Sequence, residues 1–279
     1  MRHILLHGHI FKNAGSTLDW SLRRSFGPAF CEHRDDAAMR EAPGATLAAA
    51  VADASLIALS SHNIPSPPPR MPGIKFHPLL LLRDPIVRVL SVYAFERQQQ
   101  ADTPGALAAK RLSLREYVAW RLQDDVRPVI RNFQTRFLAG GAVRHGADPL
   151  SAETVAAVRR RFADEAAEGP PVGIVDRYDA SMVVLERALL PLFPELDLAY
   201  VAQNVGQSPG QNGQDVPASA HARAKERLGP LWEQVLAHNA HDLALYEQAC
   251  AVLDRHMAAL PDFAQELERF QWRLAALRA

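Results

Sequence analysis

The prediction of the fold rests first on the segment ILLHGHIFKNAGSTLDWSL, residues 4 to 22. Its apolar start predicts a short buried strand over His3–Ile10, and Leu18 and Leu22, four residues apart, predict a helix over Ser16–Arg24. A turn of small and polar residues joins the two. A strand that enters a helix through such a turn is typical of α/β proteins, whose ligands bind beyond the carboxyl ends of the strands.

Strands and helices alternate along the rest of the chain. Further strands are predicted at Ser55–Ser61, Pro78–Leu82, Val172–Val175 and Leu198–Ala202, and helices at Pro85–Gln99, Leu114–Leu122, Pro128–Leu138, Ala152–Ala166, Ala180–Leu190 and throughout His221–Ala279. This order predicts an α/β fold with a mostly parallel central sheet flanked by helices, similar to P-loop nucleotide kinases. We expect one domain over residues 1–279, with helical insertions at about 100–170 and a helical C-terminal region at about 218–279.

Composition excludes several classes of protein. The 279 residues carry 31 basic and 31 acidic side chains, a balance that argues against a general nucleic-acid binder. The two cysteines, Cys31 and Cys250, have no metal-ligand spacing and predict a reducing compartment. Because the sequence shows neither a signal-peptide pattern nor a long apolar run, we expect a cytoplasmic protein without an integral membrane segment.

The first candidate site is the turn after the first strand. A helix N-terminus presents unpaired N–H groups and partial positive charge, which suit a phosphate. Lys12 adds a full charge, Gly15 lets the backbone approach a ligand, and Ser16 and Thr17 add hydroxyl donors. The turn is not a Walker A loop, because its lysine precedes the glycine. By itself it is explained equally well as an ordinary turn with a surface lysine.

The second candidate site is LLLLRDPIVRVLSVY, residues 79 to 93. Asp84 followed by Pro85 is a strong helix start. Ser91 lies nearly two helical turns after Asp84, so Arg83 and Ser91 are expected to converge on one oxyanion, with Arg88 near them. Two alternatives stay open. Arg83 could pair with a nearby carboxylate, and the apolar run before Asp84 is also typical of the Walker B strand of kinases.

Together, FKNAGST (residues 11–17) and RDPIVRVLSVY (residues 83–93) resemble the sulfotransferases that use 3′-phosphoadenosine-5′-phosphosulfate (PAPS), especially the heparan sulfate 2-O-sulfotransferase branch. The resemblance implies one set of residues that holds the 5′-phosphosulfate: Lys12, Asn13, Ala14, Gly15, Ser16 and Thr17. It further implies that Arg83 and Ser91 hold the 3′-phosphate and that His62 is the catalytic base. In place of a second histidine that the heparan branch often carries, this chain has Ser60.

The resemblance therefore implies transfer of a sulfuryl group from PAPS to a hydroxyl of a glycan, lipid or small metabolite. Lys12 would stabilise the leaving 3′,5′-ADP, and no metal would be required. The neutral charge balance favours a modestly charged acceptor over a highly sulfated polymer. Two other functions stay open, a magnesium-dependent kinase-like phosphotransferase and a non-catalytic nucleotide-binding protein. Contacts of Arg88, Arg136 or Asn204 with donor or acceptor also stay open, as does the oligomeric state.

Overall fold

In a computed structural model of the protein, which describes residues 1–146, 148–163, 172–203 and 218–278, five parallel strands form the central sheet. Their order is β2-β3-β1-β4-β5. The strands are β1 (Arg2–Gly8), β2 (Phe30–Glu32), β3 (Ala58–Ser61), β4 (Ile74–Leu82) and β5 (Gly173–Ile174). The predicted α/β fold with a mostly parallel sheet is confirmed.

Helices flank the sheet and make up the C-terminal region, as predicted. They are α1 (Gly15–Phe26), α2 (Asp36–Glu41), α3 (Pro43–Val51), α4 (Pro85–Gln98), α5 (Pro104–Arg111), α6 (Leu114–Arg121), α7 (Phe133–Ala139), α8 (Gly141–His145), α9 (Ala152–Ala163), α10 (Tyr178–Leu189), α11 (Ala218–Leu228), α12 (Trp232–His238), α13 (Ala240–Ala259) and α14 (Phe263–Ala276). Within the described residues, no helix combines the length and apolar character needed to cross a membrane.

The first strand is central because both of its faces are apolar. Leu5 packs with Leu18 and Leu22 of α1 on one face of the sheet. Ile4 and Leu6 alternate with Leu5, and on the other face they join the cluster that includes residues of α2 and α3. Burial on both faces is typical of parallel sheets.

The strand register brings three carboxyl ends together. Gly8 at the end of β1 pairs with Ser61 of β3 on one side and with Leu80 of β4 on the other. The segments that follow these strands therefore leave the sheet at the same edge. This edge carries the predicted site residues Lys12–Thr17, His62 and Arg83, and Ser91 lies beside Arg83 on α4.

One predicted strand is wrong. Leu198–Ala202 is buried but forms no strand. Side chains satisfy its backbone instead: Leu198 N–H donates to Glu186 Oε2 at 2.7 Å, and Ser21 Oγ donates to the Ala199 carbonyl at 3.1 Å. The segment packs on the α1 side of the sheet without pairing with it.

Smaller differences concern element bounds. The short strand β2 was not predicted, because three residues are too few for a periodic pattern. The helix predicted from Pro128 begins only at Phe133, since Asn132 adopts a left-handed conformation with φ 44°. The predicted loop Gln203–Pro217 lies outside the described residues from position 204 onward, and so does the end of the predicted helix Ala152–Ala166.

Candidate active site

The loop between β1 and α1 has a strained backbone. Lys12 and Ala14 both have left-handed conformations, with φ of 66° and 58°. Each such residue costs about 1–3 kcal/mol unless it is glycine, and it persists only where its surroundings hold it. Two arginines from the second candidate segment do so. Arg83 Nη1 donates to the Lys12 carbonyl at 3.1 Å, and Arg88 Nε donates to the Phe11 carbonyl at 3.0 Å.

A buried glutamine, Gln134 of α7, joins the loop to the end of β4. Its Oε1 accepts hydrogen bonds from Asn13 Nδ2 at 2.7 Å and from the Arg83 N–H at 2.9 Å. Its Nε2 donates to the Arg83 carbonyl at 2.9 Å. Asn13 Nδ2 also donates to the Leu81 carbonyl, so the side chain of this predicted ligand-binding residue points into the protein. Asn13 therefore ties the loop to the sheet.

The C-terminal helices position Gln134. Asp242 of α13 accepts hydrogen bonds from the N–H groups of Gln134 at 3.0 Å and Thr135 at 2.7 Å, at the start of α7. Asn132 Oδ1 in turn accepts from the N–H groups of His241 and Asp242 at the start of α13. The two helix N-termini thus cap each other. Sequence reasoning missed Gln134 and Asp242.

The start of α1 presents free hydrogen-bond donors. In the described part of the chain, the N–H groups of Ala14, Gly15 and Ser16 donate to no carbonyl or side-chain oxygen. The Ser16 side chain is exposed. Thr17 is buried, and its hydroxyl oxygen accepts from the Gln203 N–H at 3.1 Å. The predicted anion-binding turn therefore has its donors available mainly on the backbone, next to the positive end of the helix dipole.

Two cations meet beside this turn without an acidic partner. Neither Lys12 nor Arg83 forms an ion pair with a carboxylate of the described residues. Partial burial, and then the charges of Arg83 and Arg88, lower the pKa of Lys12 to about 8. Burial also lowers the pKa of Arg83, although the nearby carboxylates of Asp176 and Asp84 oppose this. Within the described residues Arg83 therefore lies near carboxylates but forms no direct ion pair with one.

Ser91 lies where helical spacing predicted it. Arg83 Nη1 donates to Ser91 Oγ at 3.0 Å. Within the described residues, Arg83 Nη2 makes no hydrogen bond, and the buried Nε has no partner. Asp84 caps α4 through Oδ1, which accepts from the N–H groups of Ile86 and Val87. Arg83 and Ser91 therefore form a second position for an anion.

The structure gives other roles to Arg88 and Arg136, two of the three residues whose contacts with donor or acceptor stayed open. Arg88 is fully buried, and besides Phe11 it binds the Val129 carbonyl, so it is a structural residue of the loop. Arg136 donates to the carbonyls of Val143 and Asp148, on the far side of α7 from Gln134. Asn204 lies outside the described residues.

His62 follows β3 at the same edge of the sheet. Its Nδ1 lies 2.8 Å from the His9 carbonyl, which can only accept, so Nδ1 carries the proton and Nε2 keeps a free lone pair. His62 is exposed to solvent. Enclosure by its neighbours, and then the nearby His9, lower the pKa of His62 below its ordinary value. A neutral imidazole with a free Nε2 is what a general base requires.

A second histidine, His9, which follows β1, completes the site. The His9 ring lies 4.1 Å from the His62 ring between centroids. His9 Nδ1 is 2.9 Å and His7 Nδ1 is 2.6 Å from the two carboxylate oxygens of Asp19. The histidine neighbours hold the pKa of the Asp19 carboxyl well below its usual range, although burial opposes this. Asp19 therefore fixes His9 with its Nε2 free.

The same arrangement explains the glycine of the turn. A Cβ atom at Gly15 would lie 2.2 Å from His9 Cδ2, so only glycine lets the imidazole pack against the start of α1. Ser60, at the position of the missing family histidine, hydrogen-bonds His7 Nδ1 at 3.0 Å. The ligand atoms of His7, His9 and Asp19 also lie within 4.8 Å of one another, a spacing that could surround a metal ion. Here both imidazoles use Nδ1 to bind the carboxylate.

A cleft of about 250 Å³ opens in front of the two histidines, on the β2 side of the sheet. It is lined by His9, Glu32, His33, Arg34, Asp36, Ser60, Ser61 and His62. The two anion positions lie on the β4 side, at the β1–α1 turn and at Arg83. The carboxyl edge of the sheet thus divides into an anion-binding half and a cleft, with the histidines between them.

Comparison with known proteins gives one similar chain. An uncharacterized protein of Archaeoglobus fulgidus is 29% identical over 258 residues, which cover 88% of this chain and 96% of the archaeal protein. No protein-family model matches the chain. No solved structure matches it significantly. The similarity thus extends over most of both chains.

Proposed function

We propose that the protein is a sulfotransferase that moves a sulfuryl group from PAPS to a hydroxyl of its acceptor. The observation that carries the proposal is the meeting of Lys12 and Arg83, two partly or largely buried cations without a carboxylate partner. Like charges held together in this way destabilise the free protein and favour a bound anion. Lys12 and the free N–H groups at the start of α1 form one anion position, and Arg83 with Ser91 forms the other.

Two separate anion positions favour a donor with two separate anionic groups. PAPS has a 5′-phosphosulfate and a 3′-phosphate, and the resemblance of residues 11–17 and 83–93 to its transferases assigns one group to each position. Arg suits the 3′-phosphate because its planar guanidinium donates two hydrogen bonds to one phosphate. Ser91 Oγ beside it offers a further contact.

The histidines supply the proton chemistry of the proposal. His62 Nε2 takes the proton of the acceptor hydroxyl, whose oxygen forms a bond to sulfur. The bond from sulfur to the bridging oxygen breaks, and the departing 3′,5′-ADP carries the negative charge. Lys12 and the N–H groups of residues 14–16 stabilise that charge. His9, held by Asp19, packs against His62 and supports it.

The kinase alternative finds less support at Asp84, the residue in the Walker B-like position. Both of its carboxylate oxygens are engaged. Oδ1 caps α4, and Oδ2 lies 2.7 Å from His221 Nε2. A magnesium ion would have to displace one of these contacts. The free Nε2 of His62 is the feature that favours an enzyme over a non-catalytic nucleotide-binding protein.

Nucleotide binding tests the proposal. Without added metal, 3′,5′-ADP at a hundred times its Kd is expected to raise the melting temperature by about 5–10 °C, and ADP at the same concentration by clearly less. Differential scanning fluorimetry measures both. The S91A variant should lose much of the preference for 3′,5′-ADP while responding to ADP as before. Equal or greater stabilisation by ADP or MgATP would contradict the proposal.

The lowered pKa of Lys12 predicts a pH dependence of binding. Lysine is charged below its pKa, so affinity for 3′,5′-ADP should fall as the pH rises above about 8, by up to about tenfold per pH unit. The phosphates do not change charge in this range, because their second pKa is about 6. Isothermal titration calorimetry measures the change. K12R stays charged at all these pH values, so its affinity for 3′,5′-ADP should not change with pH. An equal decline of affinity in K12R would exclude Lys12 as the cause.

A further inference from the structure

From the cleft in front of His9 and His62 we infer the class of acceptor: one uncharged ring bearing several hydroxyl groups, such as a single hexose unit. The inference rests on the proposed function, because it treats the cleft as the acceptor site. It is carried by the size of the cleft, the charges on its walls and the polar groups there that have no protein partner.

The size of the cleft limits the acceptor. Its volume is about 250 Å³, whereas sites for drug-sized ligands have about 300–1,000 Å³. A single sugar ring suits this space, and a chain of several sugars does not fit inside it. A longer glycan could therefore place only one ring beside the histidines.

The charges on the walls disfavour an anionic acceptor, because the lining carries two carboxylates, Glu32 and Asp36, and one guanidinium. That guanidinium, Arg34, pairs with Glu32 at 3.0 Å, and Glu32 is shared with Arg23 at 2.6 Å. Asp36 forms no ion pair with the described residues, and its electrostatic neighbour Arg127 lies outside the lining. A uronate or a sulfated sugar would therefore meet an unpaired carboxylate beside the histidines.

The unpartnered polar groups favour hydroxyls. Among the described residues, the side chains of Asp36 and His33 make no hydrogen bond, and one polar atom of each is buried. His62 and His9 both present a free Nε2, since their Nδ1 atoms are bound to the His9 carbonyl and to Asp19. A carboxylate only accepts hydrogen bonds, and hydroxyl groups donate them. Several hydroxyls on one ring would therefore satisfy several of these groups together.

Direct binding tests the inference without turnover. Saturation-transfer NMR on the full chain with 3′,5′-ADP would compare methyl hexosides and inositols with hexuronates and sulfated hexoses. We expect signals from at least one neutral compound and none from the anionic ones. Binding of the anionic compounds alone, or of no neutral compound, would overturn the inference.

A matched pair of variants assigns the binding to this cleft. D36N should weaken the neutral ligand about tenfold, because the amide keeps a hydrogen-bond acceptor but loses the charge that makes such bonds about twice as strong. D35N is the control, because Asp35 caps α2 by accepting from the Ala38 N–H, and asparagine caps a helix equally well. Equal weakening in both variants, or none in D36N, would contradict the inference.

The two proposals fail separately. The melting temperature with 3′,5′-ADP is recorded on the same samples, and D36N should leave its increase unchanged. Bound hexoside without stabilisation by 3′,5′-ADP would remove the sulfotransferase proposal and retain the sugar-binding cleft. Stabilisation by 3′,5′-ADP with transfer only to anionic acceptors would retain the sulfotransferase proposal and remove the inference of an uncharged acceptor.

Discussion

The variant H62Q is expected to lower kcat by about 10²–10⁴-fold, since a positioned general base contributes this much and an amide cannot take up a proton at neutral pH. Turnover would be measured as release of 3′,5′-ADP from PAPS with the best acceptor of the neutral panel. Stabilisation by 3′,5′-ADP should stay unchanged, because His62 lies on the cleft side of the site. Substantial remaining turnover would exclude His62 as the base.

The pH profile of the unmodified protein gives an independent readout of the same residue. A base must be unprotonated, and the pKa of His62 lies below its ordinary 6.5. The value of kcat/KM should therefore hold down to about pH 6.5 and fall only at lower pH. H256Q is the control, because His256 is exposed on α13, and its kcat and profile should match those of the unmodified protein. An acid limb above pH 7 would assign the base to another group.

The variant Q134A is expected to lower the free energy of unfolding by about 2–6 kcal/mol. It leaves the partly buried N–H and carbonyl of Arg83 without partners, and each unsatisfied group costs about 1–3 kcal/mol. For a chain of this size the melting temperature should fall by about 5–15 °C. Because Gln134 also holds Asn13, most of the stabilisation by 3′,5′-ADP should be lost too.

The control for this variant is Q265A, at an exposed position of α14, where the change should stay within about 0.5 kcal/mol. Thermal and urea unfolding measure both variants, each with and without 3′,5′-ADP. A Q134A protein with unchanged stability would show that Gln134 is not the link between the loop and β4. An unstable Q134A that still responds fully to 3′,5′-ADP would separate the stability of the loop from its ligand binding.

Much of the local structure could be predicted because its causes are local. Asp84 followed by Pro85 determines where α4 begins, and the structure has the predicted cap. Helical spacing alone placed Ser91 beside Arg83. The apolar run at the end of β4 predicted a strand, although its first residues, from Ile74, were missed.

Other features could not be predicted, because distant segments decide them. Leu198–Ala202 has the residues of a strand, but Glu186 and Ser21 take its backbone hydrogen bonds. Asn13 was expected to contact the donor, whereas its amide is used by Leu81 and Gln134. Which hydrogen-bond partner a group takes depends on which groups lie nearest in space. Composition and residue spacing do not reveal this.

Local sequence is enough to predict the β1–loop–α1 unit, the capped start of α4 and the order of strands and helices that makes the sheet parallel, because propensity, capping and periodicity act over a few residues. The contacts that surround these elements depend on how the chain packs. Gln134 is hydrogen-bonded to Asn13, 121 positions away in the sequence, and His62 to His9, 53 positions away. The strand register creates these contacts, since it brings separate loops to one edge of the sheet, and from this the paired histidines and their cleft arise.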